Sequence, residues 1–249
     1  MAEIALINLD KGEVVDASET GHGFKMSEAI ANYMPMDALW LFTVPVDSKV
    51  PPTPSVGDNS FAFRGTKGPA RVPVGHWAGD RVVIVDEYCG SAADNFPSDM
   101  LEKYPDADPE EDALEFALAH LTHVGLPGYK HGNAGDALFP AGRAWVVRNL
   151  TNNWYARADT LVPTKYRCGP DSTEGAPGLG DFIWGQIGGS IAGTDCPGER
   201  FDVQTEAALE DGQWVDLSKQ KKAFLAESNM HDDIDALRGG GFDDDEEED

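Results

Sequence analysis

Residues 144–156 read Ala144-Trp145-Val146-Val147-Arg148-Asn149-Leu150-Thr151-Asn152-Asn153-Trp154-Tyr155-Ala156. An aromatic and β-branched run, a polar Thr-Asn-Asn break and a second aromatic run predict strand, turn, strand. The opening of the chain has the same plan. Residues 3–9 and 13–16 are apolar or β-branched segments on either side of Asp10-Lys11-Gly12, where the glycine permits the positive φ of a tight hairpin. Aligning Asn8-Leu9 with Asn149-Leu150 sets Val14 against Tyr155 and Ala17 against Ala158. Further along, Ala78-Gly79-Asp80-Arg81-Val82 is echoed by Pro197-Gly198-Glu199-Arg200-Phe201. Two matches in the same order, each at the same place in a strand pattern, suggest an internal duplication. The expected fold is therefore a β-rich α+β one, with two related antiparallel-sheet halves packed together and one main helix between them.

Between these landmarks, Ser27 is placed to cap a helix through Tyr33 that Pro35 ends, and the apolar stretch 39–46 follows. Residues 46–73, rich in Pro, Gly, Ser and Asp, read as surface loops around one short strand at 61–64. The apolar run 82–85 is short enough for a buried strand. The clearest helix signal is Asp108-Pro109-Glu110-Glu111, a capping acid, a first-turn proline and acids at the positive dipole end. Leu114, Ala117, Leu118, Leu121 and Val124 then recur at helical spacing, and Gly125 is the expected stop. The boundaries that follow are a first half with its linking helix at 1–125, a connection at 126–142, a second half with short amphipathic helices at 143–238, and an acidic tail at 239–249.

Composition narrows the function classes. The formal charge is −25, from 19 basic and 44 acidic residues, and the last seven residues (Asp243, Asp244, Asp245, Glu246, Glu247, Glu248, Asp249) are all acidic. Setting those seven aside still leaves −18. Such a chain repels phosphate backbones and anionic membranes, so the expected partner is a basic protein met through the acids from Asp243 to Asp249, with no nucleic acid and no membrane. That run is expected to be solvated and disordered, since like charges repel and nothing in it can be buried. Cys89, Cys168 and Cys196 are odd in number and form no CxxC pair, so neither a disulfide framework nor a thiolate zinc site is indicated. With no basic leader, no sustained apolar core at the start and no run long enough to span a bilayer, the expected location is cytosol or nucleus.

The motif Arg148-Asn149-Leu150-Thr151, four residues, then Ala156-Arg157-Ala158-Asp159-Thr160-Leu161, resembles a signature of largely uncharacterised fungal proteins, some of them described as F-box associated. Ile7-Asn8-Leu9-Asp10 followed by Trp77-Ala78-Gly79-Asp80-Arg81 is similar to the signature's companion. The resemblance implies an intracellular β-rich fold of unassigned biochemistry, and it brings no catalytic residues.

Candidate chemistry centres on Asp80, Arg81, Glu199 and Arg200. A close backbone, a carboxylate and a planar cation suit a polar ligand, and they equally suit turn hydrogen bonds and structural ion pairs at a strand entrance. Trp77 and Trp184 sit beside glycine-rich turns and complete the ligand-binding candidates, while the other tryptophans read as core fillers. His120 and His123 lie three apart on the predicted helix, with His131 and Asp136 beyond; exposed helix histidines account for them without a metal. Ser190 after Gly188-Gly189 lacks the second glycine of an esterase turn, and Asn149-Leu150-Thr151 matches a glycosylation acceptor inside a predicted strand. No cofactor is indicated. The expectation is a noncatalytic interaction module; the alternative is a small-molecule binding protein or enzyme whose site lies between the halves.

Overall fold

The strand sequence Ile4-Ala5-Leu6-Ile7-Asn8 is buried on both faces, the mark of a strand inside a sheet covered on both sides. A computed structural model describes residues 4–19, 34–44, 69–126, 144–157, 198–210 and 212–218. In chain order these form β1 (Ile4–Asn8), β2 (Glu13–Asp16), α1 (Met34–Phe42), β3 (Arg81–Asp86), α2 (Ala92–Asn95), α3 (Ser98–Leu101), α4 (Ala113–His120), β4 (Thr122–His123), β5 (Trp145–Asn149), β6 (Trp154–Arg157), β7 (Glu199–Thr205), a 3-10 turn (Glu206–Leu209) and β8 (Val215–Asp216). The fold is β-rich with few helices. The expected helix from Ser27, the strand at 61–64, the connection beyond Leu126, Trp184, Ser190 and everything after Ser218 lie outside the described residues.

All eight strands join one sheet in the order β4-β2-β1-β3-β7-β5-β6-β8. Two details differ from the sequence reading. The sheet is mixed, because the edge strands β4 and β8 run parallel to β2 and β6. And the two four-stranded groups do not stack; β3 and β7 pair edge to edge, Arg81 with Arg200 and Val82 with Glu199, so each covers the other's unpaired edge. Outward from that junction the groups share strand order, direction and register. Asn8 faces Val82 and Glu13, as Asn149 faces Phe201 and Trp154. Gly12 and Asn153, at the same place in the two hairpin turns, both have positive φ, 66° and 55°.

One face carries Ile4, Leu6, Val15, Val82 and Ile84 from the first group and Trp145, Val147, Ala156, Phe201 and Val203 from the second, under α1 and Trp77. The opposite face divides. In the first group Ile7, Val14, Val83 and Val85 meet α2, α3 and α4. In the second group the positions of Ile7 and Val83 are Arg148 and Asp202, joined by two hydrogen bonds of 2.8 and 2.6 Å, with the guanidinium 4.9 Å from the Trp214 ring centroid.

The helices also depart from the local signals. Pro35 stands in the first turn of α1, a position where its missing N–H has no partner to lose. Residues 39–42 stay helical because Leu39, Trp40, Leu41 and Phe42 are all enclosed. The main helix begins at Asp112, whose carboxylate accepts from the Leu114 and Glu115 amides; the carbonyls of Pro109 and Glu111 are taken by Ala93 and Ala92 of α2. It ends at His120 because the Thr122 and Val124 amides bond to the carbonyls of Gly12, just before β2, and of Val14 within it. Gly125 serves close approach instead: a Cβ there would lie 2.8 Å from the Pro69 carbonyl oxygen.

Gly198, at φ 78°, has no room for a Cβ beside Leu9 and Arg81 at the junction of the groups. Gly198→Ala is expected to lower the unfolding free energy by about 1–3 kcal/mol, read by urea denaturation.

Candidate functional site

Each hairpin turn hangs on an asparagine at the end of its first strand. Asn8 Oδ1 accepts from the Lys11 amide at 2.9 Å, and Asn149 Oδ1 accepts from the Thr151 and Asn152 amides, both at 2.9 Å. Each asparagine then donates to the acid two places before the junction strand's first apolar residue: Asn8 Nδ2 to Asp80 at 2.8 Å, Asn149 Nδ2 to Glu199 at 2.7 Å. Lys11 donates to Asp80 and, at 2.7 Å, to the His76 carbonyl, while Asn152 donates to Glu199 at 2.7 Å. The two motifs of each group are thus complementary parts of one hydrogen-bonded lock. Asn149 is buried within it, which leaves its amide no access as a glycosylation acceptor in the folded chain.

The arginines lie on the other side of the same turns. Asp10 receives the Arg81 amide at 3.0 Å, Arg81 Nε at 2.7 Å and Arg200 Nη1 at 2.6 Å. Arg81 also makes a two-bonded contact with Asp99 of α3, at 3.1 and 2.6 Å, and Arg200 donates to the Gly79 carbonyl at 2.8 Å. Lys103 donates to the Asp10 carbonyl at 3.0 Å. In the second group Thr151 replaces Asp10 and accepts the Arg200 amide at 3.0 Å. Partial burial opposes ionisation of Asp10, but the Arg81 amide and the two guanidinium groups outweigh it and hold its carboxyl below the usual carboxylate range. The Asp99 carboxylate, over the opposing effect of burial and with help from Asp10, pushes Arg81 further up.

The fold therefore brings Asp80, Arg81, Glu199 and Arg200 to one junction, and each is engaged there by turn and strand partners. No protein-family model, curated protein or solved structure matches the chain. Trp77 is fully enclosed, edge-on to Phe42 at 6.4 Å, and its Nε1 donates to Glu13 at 2.6 Å. Trp40, Trp145 and Trp154 are buried as core fillers.

Three placements were not visible in the sequence. Asp10 bridges two arginines 71 and 190 residues away. Glu13 holds His76 Nε2 3.0 Å from each of its oxygens in addition to Trp77. And His120 and His123 part company, because the helix stops between them: His120 meets Glu111 at 3.2 Å, whereas His123 lies in β4 with Nδ1 2.7 Å from Glu19 and Nε2 2.9 Å from the Leu118 carbonyl. Burial opposes charge on His123, and the Leu118 carbonyl and Glu19 outweigh it, so its pKa is raised. An acid in the turn of a hairpin, out of step with its partner half at Thr151, was the available signal for Asp10.

Asp10, with its carboxyl held low in the folded state, contributes stability that is complete above the unfolded value of about 3.9 and is lost as pH falls through the lowered folded value. Asp10→Asn is expected to cost roughly 1–3 kcal/mol at pH 7 and to flatten the decline of stability below about pH 5, measured by denaturant titration across pH. An unchanged acid profile in the variant would remove Asp10 from the linkage.

Proposed function

We propose that the chain is a noncatalytic protein-interaction module, in which a β-rich body presents its surface loops and the acids from Asp243 to Asp249 steer a basic partner toward it. One observation carries this reading. The charged groups that sequence alone offered for chemistry, Asp80, Arg81, Glu199 and Arg200, are spent on locking two hairpins and one sheet junction. A ligand entering between the groups would have to break those contacts and leave charge unpaired. The alternative, a small-molecule site at the junction, lacks such an observation. The negative balance of 44 acidic against 19 basic residues favours a cationic protein surface over nucleic acid.

The same reading takes the two four-stranded groups as descendants of one duplicated unit. It is supported by the matched registers and by paired contacts that recur residue for residue, such as Leu9 N–H to Arg81 O and Leu150 N–H to Arg200 O at 2.9 and 2.8 Å. Membership of the fungal family with paired RNLT and WAGDR-like motifs fits it as well, since those motifs supply the lock.

With a lysine-rich peptide as probe, deletion of 243–249 from the chain is expected to lower the association rate about tenfold at low ionic strength and to flatten its salt dependence. Stopped-flow fluorescence reads both. Equal rates for the two chains at low salt would remove the tail from recognition, and capture of partners with and without it then separates binding by the body from binding by the tail.

A further inference from the structure

Asp16 at the end of β2, Glu19 in the turn that follows and His123 in β4 offer one ligand atom each, all within 4.8 Å of one another. The sheet arranges this. His123 is two residues beyond Leu121, which packs under the helices, and it faces Val14 in the parallel register; Asp16, two residues along β2 from Val14, shares that face. Glu19 lies on an exposed turn, its side chain 41% exposed, able to close on the other two.

The histidine's tautomer is fixed from behind. Nε2 is 2.9 Å from the Leu118 carbonyl oxygen, an atom without a hydrogen, so Nε2 carries the proton. The lone pair of a neutral ring then resides on Nδ1, only 2.7 Å from a Glu19 oxygen. In the ion pair with Glu19 a proton occupies Nδ1, and a metal ion would take that proton's place. A backbone carbonyl holding the far nitrogen is the support that metal-binding histidines characteristically have. The other half-sheet carries a different set at the same places. There the registers put Arg157 at the place of Asp16 and Asp216 at the place of His123; Arg157 pairs with Glu206, and Asp216 accepts the Ser218 amide at 2.9 Å.

We propose that Asp16, Glu19 and His123 form a binding site for a divalent transition-metal ion of the zinc type, taking His123 Nδ1 and one oxygen from each carboxylate. The charges close: two carboxylates and a neutral imidazole match a dication. One nitrogen with two oxygens selects a borderline ion over calcium or magnesium, which prefer all-oxygen shells. Tetrahedral ligands about 2.0 Å from zinc lie about 3.3 Å apart, so binding displaces the proton and parts Nδ1 from the Glu19 oxygen beyond their 2.7 Å contact, and solvent completes the shell. The ion would clip the chain leaving β2 to edge strand β4.

The test is titration of the full chain with Zn2+ by calorimetry, with excess Mg2+ present to occupy loose acidic sites, and with Co2+ as a visible-absorbing reporter. One equivalent is expected, with the Co2+ band displaced by Zn2+. His123→Ala is expected to weaken the site about 100-fold or more, and Glu19→Gln, on an exposed turn whose loss leaves the core intact, to do likewise. His120→Ala serves as the control and is expected to leave affinity unchanged. Uptake indifferent to both His123→Ala and Glu19→Gln, or no stoichiometric uptake, overturns the proposal; the gap at Nδ1 is then filled by a proton only.

Discussion

Where two equivalent half-sheets meet through an antiparallel pair of strands, the residue at the centre faces its own counterpart. Here that residue is arginine, and Arg81 stands directly opposite Arg200. Like charges in that relation destabilise a sheet. Asp10 resolves the conflict by accepting from both guanidinium groups, and Asp99 takes the rest of Arg81. A single carboxylate cannot sit symmetrically in both hairpin turns while serving both arginines, and its counterpart is Thr151. The junction is therefore even in its backbone and uneven in its charge. β3 and β7 are joined through two residue pairs, and the groups also share the apolar face under α1 and Trp77, so the side-chain contacts of the junction act beside a common core.

The two hairpins and the strand at 82–85 are legible because their signals are local, whereas β4 falls inside the expected helix and β8 carries no strand signal. Alternation and β-branched runs placed both hairpins, and the positive φ at Gly12 and Asn153 follows from turn chemistry. The helices were misplaced wherever a distant backbone won. Asp108-Pro109 carries every mark of a helix start, yet the carbonyls of Pro109 and Glu111 cap α2, and the start passes to Asp112. The apolar series ending in Val124 looked like one helical face; Leu121 and Val124 in fact lie on opposite faces of the sheet, since β2 draws the segment out as a strand. The site suffered the same way. Gly-Asp-Arg and Gly-Glu-Arg were recognisable as special, but whether an acid and an arginine do chemistry or geometry depends on what faces them, and Asn8, Asn149 and Asp10 arrive from other strands.

The two groups also show what one register tolerates. Ile7, Val14 and Val83 require an apolar cover, and α2 to α4 supply it. At the corresponding places stand Arg148, Tyr155 and Asp202, with a short 3-10 turn and Trp214 alongside. A buried pair such as Arg148 and Asp202 contributes less to stability than well-packed apolar residues would, yet losing either partner is costly, because the other is left charged and enclosed. Hydrophobic cover in one group and mutual neutralisation in the other are two solutions to the same exposed sheet face.

That contrast bears on function. Groups that take part in catalysis keep a lone pair or a proton uncommitted toward the reacting atoms. At the junction the carboxylates accept from asparagine, lysine and arginine, and the arginines donate to carboxylates and carbonyls, so their hydrogen-bonding capacity goes into the hairpins and into the seam between them. Around Asp16 and Glu19 the arrangement is different: two carboxylates and one imidazole converge where β4 pairs with β2. The charges of the seam are thus taken up by one another, whereas the edge of the first group gathers one nitrogen and two oxygen donors within 4.8 Å, an arrangement whose chemistry suits a small cation and not a bulky ligand.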